Sequence, residues 1–93
     1  MFVGIVRIEL HLPAASSLKD KRSIVSGLKD RIRQRVRASV AEVDHQELWQ
    51  RAAIGVAVVS GERRQVDEML QSVRNLVLGT PGAELLEWQE QSA

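Results

Sequence analysis

His45 and Trp49 stand four residues apart, with Arg51 two further on, in an otherwise polar stretch from Asp44 to Arg51. If that stretch holds a helical turn, the spacing puts the imidazole and the indole on one face. An indole with a cation beside it is a platform on which a nucleobase can stack. The same residues also have a structural use, in which Trp49 plugs one end of a sandwich and His45 caps the loop by hydrogen bonding. Trp49 is expected to act mostly as the plug, with His45, Arg51 and Lys19 accessible around it.

A second candidate surface is basic. The net charge is only +1, yet residues 19 to 37 hold eight basic and two acidic residues. Within them Arg22, Ser26, Lys29, Arg33 and Arg37 step by four, three, four and four, so the four cations form one stripe along a helix, with Lys19 at its flank. Asp20 and Asp30 are expected to point to other faces. Such a stripe can track a phosphate backbone, each Lys or Arg neutralising a phosphate and releasing counterions. The alternative is a solvated helix face that binds nothing.

Other chemistries find little support. There is no cysteine, which removes disulfides, thiolate zinc sites and thiol catalysis together. A metal set can be drawn from His11, Glu42, Asp44 and His45, but two histidines without a tight ligand spacing are weak evidence, and no metal or cofactor is expected. No Gly-x-Ser-x-Gly elbow is present, and His45 has no assignable catalytic partner. A non-enzymatic protein is the expectation.

The elements that must position these residues follow from periodicity. Residues 2 to 12 alternate, with Gly4, Val6, Ile8 and Leu10 on one face and Val3, Ile5, Arg7, Glu9 and His11 on the other. Ser17 and Asp20 form a weak capping box that opens a helix over 18 to 37, whose Leu18, Val25, Leu28, Ile32 and Val36 make an apolar stripe. Short and long strands follow at 39 to 44 and 52 to 59. A second amphipathic helix spans 62 to 78, ended by a left-handed Gly79 and by Pro81. A last edge strand covers 83 to 90, with Leu86 and Trp88 two apart on one face. The order, strand, helix, strand, strand, helix, strand, is that of a ferredoxin-like α+β sandwich, two helices on one face of a four-stranded antiparallel sheet, in one domain over residues 1 to 93. In this topology His11, the start of the first helix and the 44 to 51 loop gather at one edge. The first and third strands carry no aromatic on the open face apart from His11, so base stacking across the sheet is not expected.

Two stretches carry a resemblance to a known family: Ser17-Leu18-Lys19-Asp20-Lys21-Arg22, and Ala41 to Ala52 with its His45 and Trp49. On these the chain resembles the bacterial YlxP-like family, a domain of unknown function, over about residues 1 to 78. The resemblance implies a ferredoxin-like fold and genes commonly found beside those for translation initiation and ribosome-maturation factors. It brings no catalytic residues. Together these readings point to a cytoplasmic accessory protein that binds RNA or a ribosomal particle through Lys19, Arg22, Lys29, Arg33, Arg37, His45, Trp49 and Arg51. The rival is a homo-oligomeric interaction or small-ligand module. A homodimer is expected from the exposed Val3 and Ile5 and from the thin core of so short a chain. No run of about 18 apolar residues occurs, so no membrane partner is expected.

Overall fold

The computed structural model describes residues 1 to 91, and the last two residues of the expected domain lie outside them. Six elements follow in the order β1 (Phe2–His11), α1 (Leu18–Val36), β2 (Ser39–Asp44), β3 (Arg51–Ser60), α2 (Arg63–Leu78) and β4 (Glu84–Gln91). The sheet order is β2-β3-β1-β4 and every neighbouring pair is antiparallel. This is the ferredoxin-like sandwich that periodicity predicts.

Alternation decides the layers. Val6, Ile8, Leu10, Ile54, Val56 and Val58 turn one face of the two central strands toward the helices. The helices answer with Val25, Leu28, Ile32 and Val36 from α1 and Val66, Leu70, Val73 and Val77 from α2. The opposite face of the sheet has no covering layer. β1 and β2 run the same way with β3 between them, so their C-terminal ends share one edge with the start of α1.

Local chemistry corrects three expectations. Ser17 Oγ does accept from Asp20 N at 3.0 Å, but the Asp20 carboxylate reaches Ser16, whose N and Oγ donate to Oδ2 at 3.0 and 2.8 Å, rather than back to Ser17. The backbone N–H of Ser16 first, and its hydroxyl second, hold the Asp20 carboxyl below its ordinary pKa. Gly79 is not left-handed, having φ −90°; the chain turns instead at Gly82, φ 82°, directly after Pro81, where only glycine enters without strain. In β4 the register slips opposite Glu9 and Leu10, and Leu86 is the extra residue. Leu85 and Trp88, three apart, therefore pack on the core while Leu86 stays exposed. The Arg74 guanidinium lies 5.4 Å from the centre of the Trp88 ring.

Candidate functional site

The loop between β2 and β3 is held from below by a residue that no motif singled out. Lys21 falls on the apolar stripe of α1, four before Val25, and is fully buried. Its Nζ donates to the carbonyls of His45 (2.7 Å), Gln46 (3.1 Å) and Arg51 (3.4 Å). It also lies 3.0 Å from Glu42 Oε2, for which it is the sole partner among the described residues. A buried ammonium costs several kcal/mol unless paired, and this one is surrounded by oxygen. Gln50 adds a second tie, its amide donating to the carbonyls of Pro13 and Ala15 at 3.2 Å each, while its own carbonyl accepts from Leu12 N at 2.9 Å. The tip itself turns at His45, whose φ of 62° is stabilised by its N–H donating to Asp44 Oδ1 at 2.8 Å and its carbonyl accepting from Leu48 N at 3.0 Å.

Leu48 and Trp49 stand out from this fixed backbone. Trp49 is 54% exposed, which overturns its expected role as a plug, whereas Lys21, Leu12 and Ala15 are buried.

His45 and Arg51 were expected to be accessible: the Arg51 side chain is 43% exposed, whereas that of His45 is 25% exposed. Both are drawn onto Glu9 on the open face of β1. Glu9 accepts from Arg7 Nη2 at 2.9 Å and Arg51 Nη2 at 3.0 Å, and its two oxygens lie 3.3 and 3.2 Å from His45 Nε2. Asp44 extends the cluster, accepting from Arg7 Nη2 at 3.2 Å. Burial pushes the Glu9 carboxyl up, but the hydrogen bonds from Arg51, Arg7 and His45 together outweigh it and hold Glu9 below the ordinary carboxylate range. The His45 backbone N–H and then Arg7 do the same for Asp44. Arg7, bonded to both carboxylates, is raised.

Of the helical stripe, Lys19, Arg22 and Arg37 are exposed and Lys29 is half-buried, and none of their side chains makes an ion pair or hydrogen bond among the described residues. Arg37 occupies the left-handed C-cap of α1, φ 55°. Arg33 differs. It lies 3.3 Å from Asp30, so a carboxylate does reach the stripe, and its Nη2 donates to Val40 O at 3.0 Å. That bond places the basic flank of α1 over the edge strand β2. Because Lys21 touches the 45 to 51 loop, the neighbouring Lys19 and Arg22 lie at the same end of the molecule as Trp49.

The suggested metal set is not assembled. Glu42 faces the helices with Lys21, His11 lies 3.7 Å from Glu84, and among the described residues no group of three or more His, Asp or Glu is placed to hold a metal ion. Among the described residues no helix is long and apolar enough to cross a membrane.

A family model described as "Protein of unknown function (DUF503)" matches residues 3–90. The chain belongs to this family. It is 32% identical over 82 residues to the "Uncharacterized protein YlxP" of Bacillus subtilis (strain 168), covering 88% of this chain and 89% of that one. The family match reaches through β4, further than the two sequence stretches alone indicate. A de novo designed protein with a ferredoxin fold, solved by solution NMR, superposes with a TM-score of 0.60 at 12% identity, covering all of this chain and 88% of that one. The likeness to the design concerns the fold alone.

Proposed function

We propose that the protein is a non-enzymatic binding factor for RNA or a ribonucleoprotein such as a ribosomal particle. The contact runs along the basic flank of α1 and ends on the 45 to 51 loop. The observation that carries this reading is the half-exposed indole of Trp49 on a loop whose backbone is fixed by the buried Lys21. An exposed aromatic ring on a rigid support loses little entropy when a base stacks on it. Lys19 and Arg22 supply unpaired positive charge at that end, and Lys29 and Arg37 continue it along the helix. The gene neighbourhood implied by the family resemblance adds to the reading. His45 and Arg51 enter it differently from the expectation above, as the groups that tie the loop to Glu9.

The test uses purified ribosomal particles and naked ribosomal RNA presented to the immobilised protein. Retention of either by the wild type, loss of retention in Trp49→Ala, and loss on adding salt are expected. Equal retention by wild type and Trp49→Ala would overturn the assignment of the loop, and no retention of either would overturn the ligand class.

A further inference from the structure

We propose that the uncovered face of the sheet is an interface between two copies of this chain. The face divides into two zones along the strands. Near the start of β1 and the end of β3, Val3 stands opposite Val59 and Ile5 opposite Ala57; further along, level with Arg7, Ala41 stands opposite Gly55. Val43 leans over Gly55, where a Cβ would meet Val43 Cγ1 at 2.9 Å, so the missing side chain lets the valine lie flat on the sheet. Val3, Val43 and Val59 remain 40, 47 and 57% exposed. Contiguous apolar surface of this kind marks a contact site.

The second zone indicates what covers the first. Arg7 and Arg51 are matched by Glu9 and Asp44 in direct ion pairs, with His45 among them. A polyanion finds no unmatched cation there and would meet Glu9, Asp44 and Glu87. A second copy brings the same two zones, neither with a large net charge. A two-fold axis running along the strands stacks β1 on the partner's β3 and keeps apolar zone on apolar zone. Val3 then lies against the partner's Val59, and Ile5 against the smaller side chain of the partner's Ala57.

The available area sets the strength. Four strands about 4.8 Å apart and about 20 Å of strand length give a contact burying on the order of 1,000 Å², just below the range of stable interfaces. A contact of that size belongs with weak, transient association rather than with a permanent dimer. Being apolar, it resists salt, whereas phosphate contacts do not. It also uses the layer opposite α1, so it stands or falls independently of the RNA reading.

Sedimentation equilibrium over about 1 to 500 µM protein is expected to show the average mass rising toward twice the monomer, at both low and roughly 1 M salt. Val3→Lys combined with Val59→Lys changes two exposed positions and should leave a monomer throughout. A concentration series of amide NMR spectra on the wild type needs no variant and should move β1 and β3 signals around Val3, Ile5, Ala57 and Val59. A monomer at every concentration, a dimer that survives both lysines, or shifts confined to the β2 or β4 edge would overturn the proposal.

Discussion

Lys21 Nζ lies 3.0 Å from Glu42 Oε2, and with a lysine side chain only 1% exposed this ion pair joins the first turn of α1 to the far end of β2 almost out of reach of water. The same ammonium holds three loop carbonyls, so one side chain couples the helix, the edge strand and the turn that carries Trp49. A charge buried this way adds less to stability than to specificity of conformation, because its desolvation offsets much of its attraction. Removing one partner is another matter.

Lys21→Met is expected to lower unfolding free energy by about 3 to 5 kcal/mol, since the Glu42 carboxylate loses its counter-charge and three carbonyls lose their donor. Lys21→Met with Glu42→Leu should recover part of the loss by removing the orphaned charge. Urea denaturation of the two single variants and the double variant measures both effects. Additive losses would mean that the pair is not coupled.

Trp49→Ala is expected to change stability by about 1 kcal/mol or less, because the ring is not packed in the core. Binding to an RNA partner should weaken by about 1 to 3 kcal/mol for one lost stacking contact. A melting curve and a binding isotherm on the same preparation check the pair of outcomes.

Most of the fold was legible in the sequence because its elements are amphipathic at the correct period: the α1 stripe at Val25, Leu28, Ile32 and Val36 and the β1 alternation from Gly4 to Leu10 are both observed. Lys21 was hidden by its own chemistry. It occupies the vacant step of the stripe between Leu18 and Val25, but a lysine beside Lys19, Asp20 and Arg22 reads as solvated. That vacant step was the available signal. Trp49 was misjudged for the opposite reason, since a large ring is ordinarily buried and no local pattern reveals that this one stays half-exposed. The Leu86 bulge depends on the register against β1, which β4's own sequence does not contain. Glu9, mid-strand on the open face, becomes visible as a hub only once Arg51 and His45 are folded onto it.

Acid should weaken the fold through Glu9 and Asp44. Both carboxyls have folded pKa values below their ordinary ones, so the unfolded chain binds more protons as pH falls. The stability they contribute is present above the ordinary carboxyl range and is lost from about pH 4 downward, through the depressed folded values. Glu9→Gln should flatten the acid limb of the stability curve and lower stability at neutral pH, where Arg7, Arg51 and His45 lose the shared negative charge and one of its two acceptor oxygens. Unfolding free energies measured from neutral to acid pH check this, and an unchanged slope in Glu9→Gln would contradict it.

Arg33 should separate from the rest of the stripe. Arg33→Ala removes the donor to Val40 O and is expected to cost about 1 kcal/mol of stability. Replacing Arg22, Lys29 and Arg37 together with alanine should leave stability nearly unchanged, because none of these side chains makes a polar contact among the described residues. In the RNA reading that triple variant lowers the slope of log affinity against log salt by roughly 2 to 3 units. An unchanged slope would assign the stripe to solvation.

The most direct measurement of the central claim is the emission of Trp49 itself, in a Trp88→Phe variant that leaves it as the chain's single indole. Titration with ribosomal RNA is predicted to quench the emission saturably. The quench should be reversed by salt and moved to higher RNA concentration when Arg22, Lys29 and Arg37 are replaced. RNA binding with the Trp49 emission unmoved, or no binding at all, would contradict the account.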